Sequence, residues 1–181
     1  MHIEIQAIIA ATRRWLEKSV IGLNLCSFAQ SAYGAGRVRF FVSEQRAASG
    51  LLVDLQAELR ALHAADPQIC ETTLLIHPWV LGDFLQYNDF LDVCDAAIDE
   101  LGLQGEIQIA SFHPDYQFAG TCAEDIENYT NRSPFPMLHL LREASVERAI
   151  AAIPDTEEFC RRNIRTLRNL GHEGWQRLWA D

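Results

Sequence analysis

Thr72-Thr73-Leu74-Leu75-Ile76, closed by His77-Pro78-Trp79, is a near-continuous run of β-favouring, mostly apolar residues. Such a run reads as a strand covered on both faces, the pattern of a parallel sheet. Its flanks agree. On the N-terminal side Val38, Phe40 and Val42 alternate with Arg39, Phe41 and Ser43, which predicts a strand over 37–43. Between these two strands, Leu52, Leu55, Leu59 and Leu62 form one helical stripe, starting at Ser49-Gly50 and ended by Asp66-Pro67. On the C-terminal side Asp83 caps a helix carrying Phe84, Tyr87, Phe90, Cys94 and Ile98, which Gly102 stops. A third strand follows from Glu106 to Phe112. Strands alternating with helices predict right-handed crossovers. The expected fold is α/β: a single domain with a small, mostly parallel sheet of three or four strands, flanking helices and an all-helical C-terminal part.

The rest of the chain fits around this unit as one domain over 1–181. Ile5, Ile8, Ile9, Thr12 and Leu16 recur at helical spacing and predict an N-terminal helix within 1–22, stopped by Gly22. Leu23 to Ala29 is a short apolar segment holding Cys26, and Tyr33-Gly34-Ala35-Gly36 is a turn. Residues 37–112 carry the alternating strands and helices, and 113–134 form a polar loop. Residues 135–181 read as helices. A short one carries Met137, Leu138 and Leu141, a second runs from Val146 to Ala152, and a third from Thr156 to Leu170 is ended by Gly171. Asp155 with Glu158 resembles a capping box. Trp175, Leu178 and Trp179 make a final apolar turn expected to dock.

Composition narrows the function classes. A formal net charge of −10 opposes nonspecific binding to nucleic acid or an anionic membrane, which needs clustered Lys and Arg. No apolar run approaches membrane-spanning length. The five cysteines form no C-x-x-C pair and no zinc spacing, and Met1-His2-Ile3-Glu4 does not read as a signal peptide. Free thiols in a reducing cytoplasm are therefore expected. In that compartment the glycosylation patterns at Asn128-Tyr129-Thr130 and Asn131-Arg132-Ser133 carry no meaning.

The chemistry concentrates in the 112–134 loop. His113 lies just past the third strand and His77 just past the second. In a parallel sheet both decorate the rim where α/β ligand sites lie. His113 suits general acid/base work, with Asp125 as its orienter. His77, by the same placement, is a candidate ligand contact. Asp115, Glu124, Asp125 and Glu127 make a carboxylate group there. A divalent metal fits these residue types, though no motif indicates one. Asn128 and Asn131 offer amides, and Arg132 entering Ser133-Pro134 suits a phosphate or carboxylate. Cys26 stands off any helical core stripe and is the thiol to watch as a nucleophile. His139 and Glu143 stand four apart, as a surface pair on one helix face.

Two stretches also carry a resemblance. Arg14-Trp15-Leu16-Glu17 leading into Val20-Ile21-Gly22-Leu23-Asn24-Leu25-Cys26, and Phe112-His113-Pro114 with Asn128 and Thr130-Asn131-Arg132-Ser133-Pro134, look like the bacterial DUF-1415 family of unknown function. One departure is Ser27, where the resemblance leads one to expect Pro. It implies a bacterial cytoplasmic setting and a one-domain layout, supplies no reaction, and pairs the Cys26 segment with the His113 loop. Three functional readings follow. The first is a small-molecule enzyme or binding domain for an anionic ligand at the loop. The second is a non-catalytic interaction or structural module whose polar loop is internally satisfied. The third is a redox or acyl-transfer enzyme dependent on Cys26. No pattern indicates an oligomeric state.

Overall fold

The computed structural model describes residues 2–153 and 155–180, so Met1, the first position of the expected N-terminal segment, lies outside the described residues. The elements are α1 (His2–Trp15), a π-helical turn (Leu16–Ile21), α2 (Ser27–Gly34), β1 (Val38–Val42), α3 (Ala48–Ala64), β2 (Thr72–Ile76), α4 (Phe84–Glu100), β3 (Ile107–Phe112), a 3-10 turn (Ile126–Thr130), β4 (Met137–Arg142), α5 (Glu143–Ala151) and α6 (Thr156–Arg177). The four strands form one sheet in the order β1-β2-β4-β3. β1 and β2 are parallel, and β4 runs antiparallel to both β2 and β3. Three of the four strands therefore point the same way, and the α/β class holds.

Residues 137–142 correct one expectation. They form β4, at the centre of the sheet, rather than a short helix. Met137-Leu138-His139-Leu140-Leu141 is a short apolar run whose periodicity does not separate a buried strand from a buried helix. The sheet decides it. Without β4, the inner edges of β2 and β3 would carry unpaired backbone groups in the interior. In the observed register Leu74 stands opposite His139, and Phe112 opposite Met137. His139 and Glu143 consequently share no helix face. The segment around Cys26 differs too, because residues 27–34 form α2 in place of an irregular apolar stretch and turn.

Helices cover both faces of the sheet. Leu51, Leu55, Leu59 and Leu62 of α3 and Tyr87, Phe90 and Cys94 of α4 pack on Leu75, Leu138 and Leu140. On the other face, Trp15 and Ile8 of α1, Leu16 and Val20 of the π turn and Ala29 of α2 pack on Leu74, Ile76 and Met137. The all-buried pattern of β2 follows from this double cover. The π turn ends at Gly22, whose N–H donates to the Glu17 carbonyl at 2.9 Å. A Cβ there would stand 2.4 Å from the Lys18 carbonyl oxygen, so the turn requires glycine. Asp83 caps α4 through the Gln86 N–H, and Asp155 caps α6 through the Glu158 N–H, both as expected. Gly171 does interrupt α6, with φ 62° and ψ 177°, but the helix resumes beyond it. No helix among the described residues is long and apolar enough to cross a membrane.

Candidate functional site

The connection from β3 to β4 begins at His113 and is ordered by its own polar groups. The His113 N–H donates to the Asn131 carbonyl and the Ser133 N–H to the His113 carbonyl, which ties the two ends together. Inside, Asn128 is fully buried. Its Oδ1 accepts from the Phe118 N–H at 3.0 Å and the Thr121 hydroxyl at 2.8 Å, and its Nδ2 donates to the Cys122 carbonyl at 2.8 Å. Asp125 Oδ2 accepts from the Cys122 N–H at 2.8 Å and closes a turn. Asn131 donates to the Ser111 carbonyl at 3.1 Å and accepts from the Thr130 hydroxyl at 3.0 Å.

His113 is spent in the same way. It is fully buried. The Asp115 N–H donates to its Nδ1 at 3.0 Å, so Nδ1 carries no proton and Nε2–H donates to the Leu81 carbonyl at 3.2 Å. Burial pushes its pKa below the usual histidine value. The expected acid/base role has no open nitrogen to act through, and Asp125 bonds the loop rather than His113. His77 shares the rim with His113, as co-directional β2 and β3 require. Their rings lie 5.7 Å and 5.1 Å from the Tyr87 ring. His77 is also fully buried, donates Nδ1–H to the Val80 carbonyl at 3.0 Å, and has its pKa lowered to about 4 by burial. Its Nε2 has no hydrogen-bond partner among the described residues. Between the two rings the buried Tyr87 hydroxyl donates to the Met137 carbonyl and accepts from the Phe112 N–H. The carboxylate group does not converge either, since Glu127 pairs with Arg168. Among the described residues no three His, Cys, Asp or Glu side chains come together as metal ligands.

Two cavities flank this loop. The first is a cleft of about 520 Å³ lined by Arg14, Trp15, Tyr129, Arg132, Trp175 and Trp179, with Ser133 and Pro134 at its edge. Arg132 is its fixed cation. Nε donates to the Tyr116 carbonyl at 3.2 Å, Nη2 donates to the Ala123 carbonyl, and the guanidinium lies 4.4 Å over the Tyr129 ring. The Trp15 indole N–H holds the Arg132 carbonyl at 2.9 Å. Tyr129 meets Trp175 edge-on at 5.0 Å, and Trp175 meets Trp179 at 5.7 Å. Arg14 donates to the Trp179 carbonyl at 2.9 Å and so fastens the C-terminal turn to α1.

The second cavity, of about 530 Å³, brings Cys26 together with Thr130 and Asn131 of the loop and Cys160 and Asn163 of α6. The Cys26 segment and the loop do meet, as their pairing implied. Cys26 precedes α2, and the Ala29 and Phe28 N–H groups favour its thiolate. Burial outweighs them and pushes the thiol pKa up. Sequence reasoning did not find Trp15, Tyr129, Trp175 and Trp179 as a set, because they lie on three segments far apart in the chain. The pairing of Trp15 with the loop in the resemblance was the available signal. His139, read as a surface residue, was also missed.

A family model described as a protein of unknown function (DUF1415) matches residues 7–177. No curated protein and no solved structure matches the chain.

Proposed function

The chain belongs to DUF1415, a family of proteins of unknown function, and from that premise we propose a ligand-binding role. The cleft holds a small molecule that joins a planar ring to an anionic group, phosphate or carboxylate. One observation carries this reading. Arg132 is a guanidinium immobilised by two backbone carbonyls, without a carboxylate partner among the described residues, in a cleft walled by Trp15, Tyr129, Trp175 and Trp179. The carbonyls fix its direction but leave its charge uncompensated, and Nη1 makes no hydrogen bond among the described residues. An incoming oxyanion supplies both. The aromatic walls give a planar group large contact area at little entropic cost, and the volume falls in the range of small-molecule sites. Binding without catalysis fits the loop, whose His113, Asn128 and Asp125 side chains are all engaged inside the protein. The five free thiols support a reducing setting such as the cytoplasm.

The test uses the indole N–H resonances of the four tryptophans, with Trp79, which lies outside the cleft, as internal reference. Phenyl phosphate should shift Trp15, Trp175 and Trp179 and leave Trp79 in place, while phenol should not shift any of them at the same concentration. Arg132→Gln should weaken phenyl phosphate at least tenfold and Arg132→Lys by less, with folding of each checked by thermal melting. Equal responses to phenol and phenyl phosphate, or an unchanged affinity in a folded Arg132→Gln, would overturn the proposal.

A further inference from the structure

A second, smaller pocket adjoins the Cys26 cavity. A pocket of about 50 Å³, lined by Trp15, Phe28, Ala29, Ala32 and His139, shares Val20, Cys26 and Phe112 with the 530 Å³ chamber. Cys26 therefore borders both. The inner space takes about one or two methylene-sized groups, a water's share of liquid being about 30 Å³.

The walls of both parts are neutral. In the inner pocket Thr72 has one hydroxyl proton, which goes to the Leu140 carbonyl at 2.6 Å. The 2.7 Å contact between Thr72 Oγ1 and His139 Nε2 then requires the proton on Nε2. His139 Nδ1 is left as an acceptor with no hydrogen bond among the described residues. Burial lowers the His139 pKa to about 4, so the ring is uncharged at neutral pH. In the outer chamber the lining carboxylate, Glu127, is neutralised by Arg168. The remaining polar lining is amide and hydroxyl: Asn131, Asn163, Thr121 and Thr130. Bringing an uncompensated charge here would cost desolvation with no ion to repay it.

We propose that this two-part cavity is a second ligand site, specific for an uncharged molecule with a short apolar tail and a hydrogen-bonding head, and that it presents the Cys26 thiol to electrophiles of that class. The tail enters the inner pocket and the head faces Asn131 and Asn163. A thiol kept protonated by burial reacts slowly with reagents that merely collide with it. A reagent that binds first gains from proximity. With a maleimide the sulfur–carbon bond forms, the ring C=C π bond breaks, and the thiol proton ends on the neighbouring carbon.

Site-resolved alkylation of the whole protein, read by peptide mass, tests this, with exposed Cys122 as the internal reference. The Cys26-to-Cys122 labelling ratio should be at least tenfold higher with N-ethylmaleimide than with charged iodoacetate. The unreactive analogue N-ethylsuccinimide should protect Cys26 but not Cys122, and phenyl phosphate should protect neither, which separates this site from the cleft. Ala32→Leu, which fills the inner pocket, should lower the N-ethylmaleimide ratio at least fivefold. Should that variant fail to fold, protection by N-ethylsuccinimide decides the matter in the unaltered protein. Equal ratios for the two reagents, or an absence of protection, would sink the proposal.

Discussion

One short segment, 127–133, walls two cavities of nearly equal volume, about 520 and 530 Å³, that share no lining residue. Tyr129, Arg132 and Ser133 face the cleft, whereas Glu127, Thr130 and Asn131 face the Cys26 chamber. The division has a simple origin. In a 3-10 turn residues three apart eclipse one another. Within the turn Ile126–Thr130, Glu127 and Thr130 therefore fall on one side and Tyr129 on another, while Asn131, Arg132 and Ser133 lie beyond it. Asn128, on the third, turns inward and spends its side chain on the loop. The cleft ends up cationic and aromatic, the chamber neutral and thiol-bearing. An internally satisfied loop is thus a partition, and its chemistry lies in the residues facing outward from it.

The largest expected effect is on acid stability, and it distinguishes the two sides. His77 and His139 both have folded pKa values near 4 against about 6.5 when unfolded. As pH falls from 6.5 to 4 the unfolded chain binds protons that the folded chain refuses, so stability present above pH 6.5 drains away, by roughly 3 kcal/mol for each histidine. Urea melts at stepwise pH should show this, and His139→Gln should remove part of the slope and leave the share of His77 and His113. Because His139 lines the inner pocket beside Cys26 and not the cleft, Arg132→Gln on the cleft side should leave the slope unchanged. A flat profile between pH 7 and 4 would break the argument.

Next comes the partition itself. Asn128→Ala leaves the Phe118 N–H without an acceptor, while the Thr121 hydroxyl keeps the Phe118 carbonyl and the Cys122 carbonyl keeps the Asp125 N–H, and should cost roughly 2 kcal/mol. If the segment is one wall for both cavities, phenyl phosphate binding and Cys26 protection should fail together. Loss of one alone would show that the two sides are held separately. Smaller again is Arg132→Gln. It should weaken phenyl phosphate at least tenfold, which is about 1.4 kcal/mol or more, with the Cys26-to-Cys122 labelling ratio unmoved. Smallest is Arg168→Ala. It removes an exposed partner of Glu127 and should change stability by no more than about 1 kcal/mol in a urea melt. The cleft should not respond to it at all.

Much of the fold was legible because its signals are local. The continuous run Thr72–Ile76, the alternation at 38–43, the leucine stripe of α3 and the caps at Asp83 and Asp155 each act through neighbours in the chain, and each formed as read, except that Leu51 rather than Leu52 heads the stripe. β4 was not legible. Met137–Leu141 is apolar without a deciding period, and its partners β2 and β3 are distant in sequence. The site was legible in part. The loop was located, and the resemblance paired it with the Cys26 segment, with which Thr130 and Asn131 share a cavity. The roles of His113 and Asp125 were not, because a reactive residue type does not reveal whether its atoms are already engaged. Both are engaged, with the backbones of Leu81, Asp115 and Cys122.

The alternation of strands and helices from β1 to β3, the α/β class and the place of the polar loop follow from the sequence alone. Hydrophobic period, caps and turn residues are short-range, and they survive without knowledge of the whole. The tertiary structure decided the central antiparallel strand, the burial of His77 and His113, and the gathering of Trp15, Tyr129, Trp175 and Trp179 around Arg132. These depend on which distant groups share a hydrogen bond or a cavity wall. Such partnerships are settled by packing and desolvation in three dimensions, where separation along the chain no longer counts.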